Sequence, residues 1–139
     1  MIMFEKALNY VLTYPKTERQ VRQWLHGKKC ESEEAEVIIE KLKEYGYIDD
    51  ASFAKLFVEQ QSSRQGRGAI LTKMYQKGLS REIIESNTAE IDEAIQRDLA
   101  MRIAEKYGFE DKRKLFGHLL RKGFDIDLVR DIVRHEDWD

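Results

Sequence analysis

The 139 residues contain one cysteine, Cys30, and one proline, Pro15. A lone thiol excludes a disulfide within the chain and suits a reducing compartment. One proline and eight glycines exclude collagen-like, mucin-like and proline-rich disordered classes. No run approaches the roughly 18–20 uninterrupted apolar residues of a membrane-spanning helix. Glu5 and Lys6 interrupt the apolar residues after Met1, and no small-residue cleavage site follows, so no signal peptide is expected. The expectation is a soluble, cytoplasmic, monomeric protein. Sustained period-two alternation and Asn-Gly or Asp-Gly turns are also missing, so no strand is expected.

Charge is what the chain has in excess. Charged residues make up 36% of the sequence, above the roughly 25% of ordinary globular chains. The 42% of apolar residues is enough for a core. Together they point to helices with solvated faces. The net charge of −2 argues weakly against nucleic acid as a partner, but the average hides a pattern along the chain.

Phe4, Ala7, Leu8, Val11 and Leu12 have helical spacing. Pro15 stops that helix, because its ring clashes with the preceding turn and it carries no amide hydrogen. Thr17-Glu18-Arg19-Gln20 reads as a capping box that opens a second helix with Val21, Trp24 and Leu25 on its apolar stripe. A third helix carries Ala35, Ile38, Ile39, Leu42 and Tyr45 and ends at Gly46. Asp50 is expected to cap a fourth, with Phe53, Ala54, Phe57 and Val58 on one face, broken by Gly66-Arg67-Gly68. A fifth holds Ile70, Leu71, Met74 and Tyr75 and ends at Lys77-Gly78. A sixth starts near Ser80, and a seventh runs from Ile91 to Tyr107-Gly108. An eighth holds Leu115, Phe116, Leu119 and Leu120 and ends at Lys122-Gly123. Leu128, Val129, Ile132 and Val133 mark a ninth.

Three sets of three helices suggest a repeat. With Leu25, Met74 and Leu119 as anchors, Val21, Ile70 and Leu115 stand four residues earlier. Lys28, Lys77 and Lys122 stand three later, followed by Lys29, Gly78 and Gly123, then Cys30, Leu79 and Phe124. Ala35, Ile84 and Val129 stand ten later. Lys29 occupies a slot that suits glycine, so a left-handed conformation is expected there. The predicted fold is all-α: three tandem three-helix repeats, residues 1–46, 47–90 and 91–139, stacked into one elongated, curved array.

Charge follows the repeat. Residues 16–29 hold five bases and one acid, and residues 64–81 and 112–122 hold five bases each and no acid. Residues 31–44, 82–98 and 125–139 hold six acids each. Stacking in register would align the middle helices into a basic stripe. The candidate binding residues are Arg64, Arg67, Lys73, Lys77, Lys112, Arg113, Arg121 and Lys122. The helix dipole alone accounts for lysines at helix ends, Lys77 and Lys122 among them. It does not account for Arg64, Arg67, Lys112 and Arg113 near helix starts, which makes those four the better candidates.

No residues nominate an active site, a metal or a cofactor. His26, His118 and His135 are scattered, and His26 with Cys30 makes only two ligands. Cys30 fills a slot held elsewhere by Leu79 and Phe124 and is expected to be a small buried hydrophobe. Gly66-Arg67-Gly68 lacks the Gly-Lys-Ser/Thr ending of a phosphate loop. The Asp49-Asp50 pair reads as helix capping rather than acid catalysis or a cation site.

Several segments in order carry a family likeness over nearly the whole chain. Ala7-Leu8-Asn9-Tyr10-Val11-Leu12 precedes Thr17-Glu18-Arg19-Gln20-Val21. Leu42-Lys43-Glu44-Tyr45-Gly46-Tyr47-Ile48-Asp49-Asp50 leads into Phe53-Ala54. Gly66-Arg67-Gly68 precedes Lys77-Gly78-Leu79, and Lys114-Leu115-Phe116-Gly117-His118-Leu119-Leu120-Arg121-Lys122-Gly123-Phe124 closes the series. The series resembles the bacterial RecX regulatory proteins. The resemblance implies tandem three-helix repeats and a modulator of the RecA recombinase in DNA repair, recombination and the SOS response. Such modulators usually inhibit the filament, its ATPase and strand exchange, and are thought to lie in the groove of the RecA–DNA filament. The RecA filament is thus the expected partner, with single- or double-stranded DNA as a second. Members often have a longer N-terminal segment and a more basic composition. Where relatives tend to be basic before Ile70 and Leu71, this chain has Gly68 and Ala69, which favours contact with RecA over direct DNA binding. The alternatives are a helix-turn-helix DNA-binding regulator built on residues 17–48 and an all-helical adaptor for an amphipathic peptide.

Overall fold

In the computed structural model, which describes residues 2–135, the capping box at Thr17 is present. Its hydroxyl accepts from the Gln20 amide at 3.2 Å, and its own amide donates to Gln20 Oε1 at 2.9 Å. The helices are α1 Ile2–Thr13, α2 Glu18–Gly27, α3 Ser32–Glu44, α4 Asp50–Gln61, α5 Arg67–Gln76, α6 Arg81–Thr88, α7 Glu93–Tyr107, α8 Lys112–Arg121 and α9 Ile126–His135. The described residues contain no strand. Glu136, Asp137 and Asp139, three of the acids counted at the C-terminal end, lie outside the described residues.

Three separate apolar clusters form, one per set of three helices. The first gathers Ala7, Val21, Leu25, Ile39, Leu42 and Ile48; the second Ala54, Ile70, Met74, Leu79 and Ile84; the third Leu99, Leu115, Leu119, Phe124, Val129 and Ile132. Within each set the middle helix packs on the third: α2 on α3, α5 on α6, α8 on α9. The anchors Leu25, Met74 and Leu119 are all fully buried. Lys28, Lys77 and Lys122 are the C-caps of the three middle helices. The residues after them are all left-handed, with φ of 62° at Lys29, 82° at Gly78 and 94° at Gly123. Cys30, expected to be buried, is half-exposed at the edge of the first cluster.

The structure moves two helix starts. Asp49, not Asp50, caps α4, by accepting from the Ser52 amide at 3.1 Å. Asp50 reaches instead into the preceding set, where its Oδ1 accepts from the Glu18 amide at 2.9 Å. Ile91 precedes α7, whose cap is Asp92.

That long-range cap belongs to a joint that occurs twice. At the first joint the Thr17 hydroxyl donates to the Lys77 carbonyl at 2.6 Å, and Asp50 caps the Glu18 amide. At the second the Gly66 amide donates to the Lys122 carbonyl at 2.7 Å, and Gln96 Oε1 caps the Arg67 amide at 2.8 Å. Thr17 and Gly66 occupy the same repeat slot, eight residues before Leu25 and Met74. Thus α5 begins where α8 ends, and α2 begins where α5 ends. The Thr17 hydroxyl and the Gly66 amide, donors at the start of one helix, meet carbonyls at the end of the next, which satisfies terminal groups a helix leaves unpaired.

The accessible surface is 9437 Å2, whereas a compact monomer of this mass would expose about 7500 Å2. The excess is what an elongated stack leaves exposed when each unit touches only its neighbours.

Candidate interaction surface

The middle helices carry the bases, and the structure separates those held by the fold from those left to solvent. Lys16 is buried. Its ammonium donates to the Tyr14 carbonyl at 2.9 Å and lies 3.6 Å from the Tyr14 ring centre. Burial, with Lys77 nearby, lowers its pKa. Arg22 is tied to Glu18 at 3.1 Å and Glu36 at 3.0 Å, which raises its pKa. Two bases of the basic run of the first repeat, Lys16 and Arg22, are thus held within the chain. Of its five bases, Arg19, Lys28 and Lys29 are exposed.

Among the eight candidates, Arg67 also serves the fold. It is half-buried, and its Nε donates to the Thr88 carbonyl at 3.3 Å. The α5 start around Arg64 and Arg67 faces the carbonyl end of α8, so positive charge there is not set against an open helix N-terminus. Of the four bases near helix starts, only Lys112 and Arg113 are set against a helix N-terminus that meets no other helix end, that of α8. Lys77 is half-buried over Phe53 and Phe57, 5.8 and 5.6 Å from the ring centres. Arg64, Lys73, Arg113, Arg121 and Lys122 are exposed, without an ion-pair partner among the described residues. Lys73 and Arg121 come together, lining one open groove of about 520 Å3 where α5 meets α8. The small residues Gly68, Ala69 and Gly123 also line it, and Asp125 borders it. Lys114 and His118 extend the exposed face of α8. His118 stacks on Tyr107 at 4.3 Å, and burial with Lys122 and Arg121 lowers its pKa.

Residues 17–48 do not continue into a wing. Asp49-Asp50 opens α4 where a winged-helix protein would place a strand. No helix of the described residues is long and apolar enough to cross a membrane. No group of three or more metal-ligating side chains occurs among them.

The family model described as RecX, second three-helix domain, matches residues 49–86. That window runs from the Asp49 cap to α6, the second set of helices. A regulatory protein RecX from Finegoldia magna is 31% identical over 141 residues, covering 93% of this chain and 69% of that protein. The chain belongs to the RecX family. A RecX from Clostridium botulinum (strain Eklund 17B / Type B) is 31% identical over 140 residues, 94% of this chain. The chain spans 66% of that relative's length. The crystal structure of RecX from Lactobacillus salivarius superposes with a TM-score of 0.84 at 24% identity, over 98% of this chain and 95% of that one. A second RecX crystal structure gives 0.81 at 23% identity, over 95% of this chain and 70% of the other. Both share the fold.

The joint residues are what spacing did not reveal. Thr17, Asp50 and Gln96 act across repeats, and the only local sign was the doubled aspartate at 49–50.

Proposed function

We propose that this chain binds the RecA–DNA filament and inhibits its ATPase and strand exchange, as a non-catalytic cytoplasmic monomer. Membership of the RecX family is the observation that carries the reading. The placement of unpaired bases supports it: Lys73 and Arg121 face one groove, with Arg113 on the same helix as Arg121 and Lys122 at its C-cap. Such a face suits acidic side chains of a filament, or phosphates, where each neutralised phosphate also releases counterions. The repeated joints make the array a spacer of defined rise. A spacer lodged along a filament groove would bridge neighbouring protomers and resist the small rearrangements of ATP turnover.

The test is DNA-dependent recombinase ATPase, with this protein added in increasing amounts. Dose-dependent inhibition is expected at sub-stoichiometric ratios to recombinase. An unchanged rate up to equimolar protein refutes the proposal. A gel shift without recombinase then reports whether DNA alone is a partner.

A further inference from the structure

A second groove, of about 870 Å3, lies at the same joint and is bordered by α6, α7 and α9. Its lining includes the apolar side chains of Ile91, Leu128 and Ile126, the last 46% exposed. Its rim is acidic, with Glu93, Asp125 and Asp127. Glu93 and Asp125 have no ion-pair partner among the described residues, and Asp127 has only Arg130 at 3.8 Å. The four acids of the lining, Asp131 included, outnumber its two bases: Arg97 pairs with Asp131 at 3.2 Å, and Arg67 donates to the Thr88 carbonyl, which holds its side chain without neutralising its charge. The first joint, built by corresponding hydrogen bonds, engages both its acids internally, Asp50 by accepting from the Glu18 amide. There Glu18 sits between Arg22 and Lys43, each at 3.1 Å. The second joint leaves its acids to be met from outside the chain.

We propose that this groove docks a protein segment bearing Lys or Arg on either side of an apolar side chain. The apolar residue covers Ile126 and Leu128, and the flanking cations meet Glu93, Asp125 and Asp127. Complementary charge gives such a contact its orientation and its association rate. The partner's identity as recombinase rests on the filament reading; the groove itself does not. The chain would then hold a protein segment in one groove and present Lys73 and Arg121 in the adjoining one, Asp125 bordering both.

The probe is a fluorescein-labelled amphipathic peptide of leucine and lysine, followed by anisotropy. Wild type is expected to bind in a salt-sensitive way. The isosteric triple variant Glu93→Gln, Asp125→Asn, Asp127→Asn should bind at least tenfold more weakly. Glu31→Gln, Glu33→Gln, Glu34→Gln, which removes three exposed acids from the start of α3, should bind within twofold of wild type. Ile126→Ser keeps every charge and should weaken binding at least threefold, so the claim remains testable if the triple variant folds poorly. Absence of wild-type binding, or equal weakening by the α3 control, overturns the proposal. Capture on recombinase–DNA filaments separates the two readings. Peptide binding without filament capture sinks the filament reading and leaves the groove. Filament capture without peptide binding does the reverse.

Discussion

Gly66→Ala tests the end-to-end joint most directly. Gly66 caps α5 with φ of −75°, a conformation open to any residue, so alanine brings no backbone strain of its own. A Cβ there would overlap the Gly123 carbonyl carbon and the Phe124 amide nitrogen, backbone atoms that cannot turn aside. Overpacking of this kind costs about 1–3 kcal/mol. Separating the two helix ends also threatens the hydrogen bonds Gly66 N–H to the Lys122 carbonyl and Gly68 N–H to the Gly123 carbonyl, at 2.7 and 2.9 Å. Each is worth about 1 kcal/mol net. With one of the two bonds given up, the expected loss is about 2–4 kcal/mol, concentrated between the second and third units. Gly27→Ala is the counterpart. Gly27 lies in α2, and a methyl group added there would meet no other atom within 4 Å, so alanine should stabilise by about 0.5–1 kcal/mol. Urea titrations followed by circular dichroism give the two midpoints. Amide hydrogen exchange should show faster opening at Gly66, Gly68 and the start of α5 in Gly66→Ala. Midpoints that move the same way in both variants would refute the joint.

Leu119→Ala should destabilise by about 2–5 kcal/mol, as other fully buried leucines do, and Met74→Ala similarly, read as falls in the urea midpoint. Asp50→Asn should be at least as stable as wild type at pH 7, because an amide oxygen can cap Glu18 as Gln96 caps Arg67. Burial raises the Asp50 pKa, so the folded state favours its protonated form. That contribution is fully present below the ordinary Asp value of about 3.9 and is lost as pH rises through the raised one, so any advantage of Asn must shrink on acidification. An advantage that grows on acidification contradicts this assignment. Reversing Lys73 and Arg121 to Glu should leave the fold intact and weaken filament binding, with the logarithmic salt slope shallower by about 1 per lost phosphate contact if DNA is what they touch. Wild-type affinity across a salt series would move the contact to another face.

Much of this molecule is legible in its sequence because helical spacing and helix ends are local properties. The left-handed Lys29 follows from its alignment with Gly78 and Gly123, and the capping box at Thr17 from four consecutive residues. What escapes local reading is any side chain whose partner sits in another repeat. Asp50 looks like a cap for the helix it starts, but Asp49 takes that role and frees it for Glu18. Lys16 looks like part of a basic stripe but is buried against the end of α1. Arg67 looks unfavourably placed at a helix start, yet that start abuts carbonyls of α8 and its guanidinium binds Thr88. Charge counts identify which helices are basic. They do not distinguish bases that hold the fold from bases that face solvent.

The two joints should differ in function although they share a design. Both grooves lie at the second joint: Lys73 and Arg121 line one, Glu93 and Asp127 the other, and Asp125 borders both. Loosening that joint disturbs the relative positions of both sets of charges. Loosening the first leaves them in place. Thr17→Ala is the matched perturbation at the first joint, because one hydroxyl caps α2 and also donates to the Lys77 carbonyl. Loss of a helix cap costs about 0.5–2 kcal/mol, and loss of the second hydrogen bond about 1 kcal/mol more. Thr17→Ala and Gly66→Ala should therefore be destabilised to a comparable degree. At a temperature where both remain folded, Gly66→Ala should lose recombinase inhibition and Thr17→Ala should keep most of it. Equal loss in both would mean that the spacing of the whole array, rather than the second joint, carries the interaction.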